Sequence, residues 1–343
     1  MRRAIALSRR GFPAPNPHVG CVIVRDGEIV GEGFHDARGG PHAEVVALRM
    51  AGDRAKHATA FVTLEPCAHH GRTPPCTEAL IAAGVRRVVF AVPDPNPKAS
   101  GGAEVLERAG IAVESGLERE AASEANRAFL TAMRRSRPFV VVKVGASLDG
   151  RIALPSGESQ WITGEKARAA GRRLRAEYGA VLVGRRTVEL DNPLLTHRVR
   201  AAKNPSLRLV LDPSGRLDPN RHRLFLDGGP VARLVGLGHA QAPFDVELDA
   251  PTGRFAPTAV LAWLWDQGMT QLLVEGGGDT IGGFLAARVV DRIELFLGPK
   301  VLGAGPNWVQ RELAPTLGQL PPMRIARVRR LDGDLHVTID VET

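Results

Sequence analysis

Glu65-Pro66-Cys67-Ala68-His69-His70-Gly71-Arg72-Thr73-Pro74-Pro75-Cys76 links the end of one apolar run to the start of a helical one. Residues 60–64 before it read as a strand. Residues 77–83 after it read as a helix that stops at Gly84, a natural C-cap. Residues 85–92 are a second strand, so the segment forms a βαβ unit with a parallel pair. Upstream, Pro41-His42-Ala43-Glu44 opens a helix over 42–50, with Pro41 suited to its first turn. Before that helix, residues 20–24 and 28–34 flank Asp26-Gly27 as two strands of a hairpin.

The polar residues at these junctions form a ligand set. His42, Cys67 and Cys76 supply one imidazole and two thiolates to zinc, and the fourth position stays open for water, as a catalytic zinc requires. His42 and Glu44 are two apart and point in different directions on a helix. That suits a division of labour, His42 on the metal and Glu44 moving the proton of the water. Ligands at helix starts also place positive dipole ends near the thiolates. Zinc-dependent base deaminases carry H-x-E and P-C-x-x-C. Here eight residues, not two, separate the cysteines, which argues against the ordinary cytidine and transfer-RNA deaminases. A purely structural zinc would want a fourth protein ligand, which His69 or His70 offers, but Glu44 beside an open ligand set argues for catalysis. Cys21, inside its strand, reads as core, and His57 as a solvated loop residue.

The helical pattern over 118–135 ends before Pro138, and an apolar strand begins at 139–144, so the domain boundary falls near 137 and separates 1–137 from 138–343. The second half alternates strands at 180–183, 207–211, 271–274 and 293–297 with helices at 164–178, 258–266 and 280–287, and closes on a hairpin at Asp332-Gly333. Both halves are α/β. In Leu272-Leu273-Val274-Glu275-Gly276-Gly277-Gly278-Asp279-Thr280 a glycine run joins strand to helix, where backbone N–H groups can approach a phosphate. A tight turn would need glycines for steric reasons alone.

Bulk properties narrow the function. A chain of 343 residues favours two domains over one core. No apolar run approaches a membrane span, and the first twelve residues lack the apolar region of a signal peptide. Three cysteines make no disulfide framework, so a reducing, cytoplasmic setting is expected. The net charge of +8 is scattered, and a single tyrosine with four tryptophans is a poor stacking platform, so the field suits small anionic ligands rather than nucleic acid.

Longer matches carry a family resemblance. Asn16-Pro17-His18-Val19-Gly20-Cys21-Val22-Ile23-Val24, the His42/Glu44 pair and the stretch from Thr63 to Cys76 resemble the bifunctional riboflavin-biosynthesis deaminase-reductases. So do Gly145-Ala146-Ser147-Leu148-Asp149-Gly150-Arg151, Ser156 to Thr163, Asp191-Asn192-Pro193-Leu194-Leu195-Thr196 and Val274-Glu275-Gly276-Gly277. The resemblance implies a cytidine-deaminase-like three-layer domain with a mixed sheet, followed by a dihydrofolate-reductase-like α/β domain. It implies one zinc per chain, NADPH, a phosphorylated pyrimidine substrate and a homo-oligomer, dimer or tetramer, with no nucleic acid and no membrane. By matching positions it places Gly145, Trp161, Thr187, Asp191 and Gly277, Gly278, Asp279, Thr280, Ile281, Gly282 and Gly283 on the dinucleotide. It places Ser159, Arg175, Leu195, Arg198 and Glu275 on the substrate, the two arginines toward the sugar phosphate. Arg185, in Gly184-Arg185-Arg186-Thr187, looks like the arginine that faces the adenosine 2′-phosphate in dihydrofolate reductases. Lys143, Asp149 and Glu275 are the candidates for the reductase proton donor. The rival reading is a nucleic-acid-editing deaminase with an accessory domain; the long cysteine insert disfavours it.

Overall fold

The computed structural model describes residues 1–71 and 74–342; Arg72 and Thr73 of the cysteine loop lie outside the described residues. The chain divides into two compact units, Met1–Ser136 with Ala201–Asn204, and Arg137–Arg200 with Pro205–Thr343.

In the first unit, α1 (Arg2–Ser8) precedes the hairpin β1 (Gly20–Arg25) and β2 (Glu28–Phe34), α2 (Ala43–Ala51), β3 (Thr59–Val62), α3 (Cys76–Ala82), β4 (Arg87–Phe90), α4 (Gly102–Arg108), β5 (Ala112–Ser115), α5 (Arg119–Ala125) and α6 (Arg127–Arg135). The sheet order is β2-β1-β3-β4-β5. β1 runs antiparallel to both neighbours, while β3, β4 and β5 are parallel, which makes the sheet mixed. Cys21, Ile23, Ala60, Val62 and Val88 face one way, and Ala43 and Ala47 of α2, Leu80 of α3 and Leu106 of α4 cover them. On the other side α1, α5 and α6 supply Ile5, Ala122, Phe129 and Leu130. The result is three layers. Small residues set the spacing: a Cβ on Gly33 would lie 2.3 Å from the Ala43 carbonyl, so glycine lets the first turn of α2 rest on β2.

Two expectations are corrected here, and one strand was not expected. Pro41 is not in the helix; α2 begins at Ala43, with extended His42 as its N-cap. The helix expected over 118–135 breaks at Asn126, whose side chain donates to the His18 carbonyl and accepts from its N–H, competing with the helical ladder. The short β5, mostly exposed, carries too little apolar alternation to be read from sequence.

The second unit contains β6 (Phe139–Ser147), α7 (Glu165–Tyr178), β7 (Ala180–Gly184), α8 (Arg185–Asp191), β8 (Leu207–Leu211), α9 (Arg223–Leu226), β9 (Val231–Gly236), β10 (Asp245–Leu248), α10 (Pro257–Asp266), β11 (Gln271–Val274), α11 (Gly278–Ala286), β12 (Arg292–Gly298), β13 (Met323–Leu331) and β14 (Asp334–Val341). The nine-stranded sheet runs β10-β9-β8-β7-β11-β6-β12-β14-β13, parallel from β10 to β12 and antiparallel from there to the edge. Val140, Val142, Leu182, Leu209 and Leu272 form its apolar core with Leu261, Leu264 and Phe284 of the helices. Arg137 belongs to this unit. Its guanidinium donates to both oxygens of buried Asp291, at 2.7 and 2.9 Å, so the natural cut precedes Arg137 rather than following it.

Candidate functional site

In the first unit the ligand atoms of His42, Cys67 and Cys76 lie within 4.8 Å of one another, and among the described residues these three make up the grouped metal-binding set. His42 Nδ1 is 3.1 Å from Cys76 Sγ and 3.6 Å from Cys67 Sγ. Zinc bonds of about 2.0–2.3 Å to nitrogen and sulfur produce tetrahedral edges close to these distances, so the donor set fits zinc. His70 instead pairs with Glu78 at 3.0 Å. His69 lines the cleft without joining the set. The local chain explains the convergence. His42 caps α2, Cys76 is the first residue of α3, and the Cys76 N–H donates to Cys67 Sγ at 3.4 Å. That hydrogen-bonded environment lowers the Cys67 thiol, Cys76 acting first and His42 next, against the opposing effect of burial. Cys76 is raised in turn by its bond to Cys67 and by burial.

A cleft of about 340 Å³ opens on this set. Glu44 lies in its wall at 3% exposure, pushed up to about 6 by burial and then by the Cys67 sulfur. His42 and Glu44 face the same cleft because His42, as the extended cap, is outside the helical geometry expected of it.

Three further residues shape the cleft that sequence reading left without a role. Glu65 accepts from the N–H groups of Asp94 (3.2 Å) and Ala103 (3.0 Å), tying the strand end to the 93–97 loop and to the start of α4. His35, lowered by burial, donates through Nδ1 to the Pro41 carbonyl, leaving Nε2 to accept from the Asn16 amide, both at 3.1 Å. Asn16 is thereby held in the wall of the cleft, next to the metal set. Asn16 sits in a motif whose match carried the resemblance; His35 has no local signal at all. Cys21 is buried in β1, as expected of a core cysteine.

In the second unit the expected cofactor contacts differ in their surroundings. Gly277 caps α11 with nothing within 4 Å of a would-be Cβ, which leaves its face open to a ligand. Gly278 and Gly282 differ. Their Cβ positions would meet the Asn307 carbonyl at 2.5 Å and the Arg311 side chain at 3.1 Å, so these glycines admit the 307–311 segment across α11. Gly283 also faces Arg311, Asp279 pairs with Arg254 and Arg311 at 3.1 Å, and Ile281 is core. Thr280 packs against Gly184 and Gly276. Gly145 is half-buried on β6, near Thr163. Trp161 is exposed, with the Arg168 guanidinium 4.3 Å from its ring. Arg185, Thr187 and Asp191 all lie on α8, a helix not expected from sequence.

Glu275 and Arg175 make a bidentate pair (2.6 and 2.9 Å), with Lys143 3.4 Å from the same carboxylate. Burial alone would raise Glu275, but Arg175 and Lys143 bring it down to about 2. Arg175 also donates to the Thr196 carbonyl, so its fork is engaged inside the protein rather than held free for a sugar phosphate. Asp149, lowered to about 2 first by the Ser147 hydroxyl, accepts from Leu302 and Gly303 N–H and anchors a turn. Both carboxylates are ionised at neutral pH, which makes them poor proton donors and leaves Lys143 of the three candidates. Ser159 is half-buried. Leu195 (φ +55) and Arg198 (φ +53) are both left-handed, and Leu195 is buried. Each such residue costs about 1–2 kcal/mol, which the surrounding structure must offset.

A zinc ligand triad with a buried acid in one unit, and an open glycine-capped helix following a parallel strand of the mixed sheet in the other, define a zinc deaminase joined to a reductase. Comparison with known proteins agrees. Residues 1–92 match the cytidine and deoxycytidylate deaminase zinc-binding region, and residues 138–337 match the RibD C-terminal domain. The riboflavin biosynthesis protein RibD of Escherichia coli strain K12 is 44% identical over 323 residues, covering 89% of this chain and 88% of its own. An Acinetobacter baumannii RibD structure superposes with a TM-score of 0.89 at 37% identity, covering 100% of this chain and 98% of that one. The Thermotoga maritima diaminohydroxyphosphoribosylaminopyrimidine deaminase/5-amino-6-(5-phosphoribosylamino)uracil reductase gives 0.88 at 34%, covering 99% and 97%. The chain belongs to the RibD family of bifunctional riboflavin-biosynthesis deaminase-reductases. No helix among the described residues is long and apolar enough to cross a membrane.

Proposed function

We propose that the first unit hydrolyses the 2-amino group of 2,5-diamino-6-(5-phosphoribosylamino)pyrimidin-4(3H)-one, and that the second reduces 5-amino-6-(5-phosphoribosylamino)uracil to its ribitylamino product with NADPH. The observation that carries the reading is Glu44, buried in the wall of the cleft that His42 and Cys67 also line, beside the ligand set those two form with Cys76. Those three residues would hold zinc, which as a Lewis acid would make the attacking water easier to deprotonate. Glu44 takes the proton of that water and passes it to the departing amino nitrogen; ammonia leaves and oxygen stays on the ring carbon. Asn16, oriented by His35, would contact the pyrimidine edge.

In the second unit Gly145, Trp161, Thr187, Asp191 and the start of α11 would line the cofactor, with Gly277 as the open approach. NADPH supplies the hydride added at sugar C1′. The ring oxygen released at that carbon takes its proton from Lys143, whose ammonium Glu275 holds in place. Ser159, Leu195, Arg198 and Glu275 would contact the substrate, and Arg175 would act through Glu275 and Thr196. The chain would work as a cytoplasmic homo-oligomer, dimer or tetramer, with no nucleic-acid partner. Three cysteines without a disulfide, two of which would hold zinc, and dispersed charge support the compartment and the choice of small ligands. Feeding the diaminopyrimidine phosphate with and without NADPH, and weighing the products by mass spectrometry, tests the reading. Deaminated product alone without NADPH, and ribitylamino product with it, is the expected result; light scattering reads the oligomer.

A further inference from the structure

We propose that Arg208, a buried residue of β8 outside the catalytic groups, is a positioning residue that holds the substrate loop of the reductase in its working shape; this rests on the reading that Leu195 and Arg198 contact the phosphorylated substrate. The loop from Asn192 to Arg198 holds three non-glycine residues with positive φ, Asn192 at +41, Leu195 at +55 and Arg198 at +53. Such a backbone persists only where neighbours over-determine it. Here two guanidiniums do so. Arg175, from α7, donates to the Thr196 carbonyl at 3.1 Å, and Arg208 donates to the Leu194 carbonyl at 3.2 Å. The two carbonyls flank buried Leu195, and Arg198, exposed three residues on, is the part of the loop a ligand would meet.

Arg208 is itself locked. Its two terminal nitrogens donate to the two oxygens of Asp227, both at 2.8 Å, and Nε donates to the Pro230 carbonyl at 3.2 Å. A Cβ on Gly229 would come within 2.7 Å of the guanidinium, so the glycine lets the 227–230 turn close over it. A planar fork of donors in fixed geometry grips both oxygens of a carboxylate and a carbonyl at once, an arrangement the compact ammonium of lysine does not reproduce. Arg208→Lys therefore keeps the charge and releases the loop, while Asp227→Asn loosens the fork and weakens, without abolishing, its bond to Leu194.

The test compares full-length Arg208→Lys, Asp227→Asn and Arg198→Ala for reductase KM toward the deaminated phosphoribosylaminouracil, KM for NADPH, and ammonia release by the deaminase. Expected is a rise of ten-fold or more in substrate KM for Arg208→Lys and a smaller rise for Asp227→Asn. NADPH KM should stay within two-fold and ammonia release should not change. Amide hydrogen exchange of the protein alone should quicken over residues 194–198 in both variants, and Asp227→Asn keeps this readout if Arg208→Lys fails to fold. A purely structural arginine would move both KM values together or neither, and would not confine faster exchange to that loop; either result overturns the proposal. If Arg198→Ala leaves substrate KM unchanged, the reading of the loop as a substrate site fails instead.

Discussion

The two sites of this chain are built from different kinds of atoms. In the first unit the chemistry lies in side chains, His42, Glu44, Cys67 and Cys76, because zinc accepts only a few donor types and each must project from a fixed backbone point. In the second unit much of the proposed cofactor surface is backbone, the open N-cap of α11, and the side chains around it serve one another. Glu275, Arg175 and Lys143 pair among themselves, and Asp149 anchors a turn. A metal site therefore stays legible as residue types, whereas a dinucleotide site is spread over glycines that have several reasons to be there.

The sharpest way to break that contrast is Glu44→Gln. It keeps the ligand atoms and removes the proton carrier, so zinc content should stay at one per chain while deamination falls by about 10²–10⁴-fold. Reduction of the already deaminated intermediate should be untouched. Ammonia release at the parent rate would end the assignment of Glu44.

Glu275→Gln probes the other architecture. It leaves Arg175 and Lys143 without their buried anion, a loss of about 3–5 kcal/mol. The second unit should then melt roughly 10 °C lower, with the first unit's transition unmoved. Acid adds an independent check. The carboxyl sits at about 2 in the folded state against an ordinary 4.5, so its contribution is present above pH 4.5 and is lost as the pH falls toward 2. That contribution is on the order of 3 kcal/mol, and the variant should lack it. An unchanged acid limb in Glu275→Gln would mean that other carboxylates govern acid unfolding.

Sequence alone made β1, β2, β8 and β11 readable almost to the residue, because their apolar runs are bounded by turn residues. The metal triad was equally clear. What stayed hidden depends on contacts distant in the chain. Asn126 breaks a helix because His18 lies beside it, and His35 matters only through Asn16 and Pro41. Gly278 and Gly282 read as phosphate glycines, yet residues 307–311 lie against them, a contact that no local pattern encodes. Arg175 reads as a free phosphate ligand until Glu275, a hundred residues on, is found in its fork.

The boundary between the units gives a smaller effect. Fragments starting at Arg137 and at Pro138 differ by one residue, and that residue is the bidentate partner of Asp291. Asp291 keeps the Val140 N–H at 2.8 Å in either fragment, so the shorter one should be less stable by about 1–3 kcal/mol, read from urea midpoints at equal slope. Equal midpoints would show that Arg137 adds nothing to the second unit.

The smallest effect concerns cofactor choice at Arg185. This arginine leaves the C-terminal end of β7 as the first residue of α8, the side of an open α/β sheet where ligands bind. Its guanidinium lies 3.5 Å from Glu189 and 4.0 Å from buried Asp212, so it is steered without being closed off, at 34% side-chain exposure. Such partly exposed pairs hold a side chain by no more than about 1 kcal/mol, little enough for an adenosine 2′-phosphate to draw it away. Arg186 beside it is exposed and would be the alternative reader. Arg185→Ala should lower kcat/KM for NADPH about ten-fold, or about 1.4 kcal/mol, and leave NADH turnover where it was. Equal losses with both cofactors would mean that Arg185 supports α8 or the pyrophosphate instead. No loss with either would transfer the discrimination to Arg186, and the same pair of assays on Arg186→Ala would decide it.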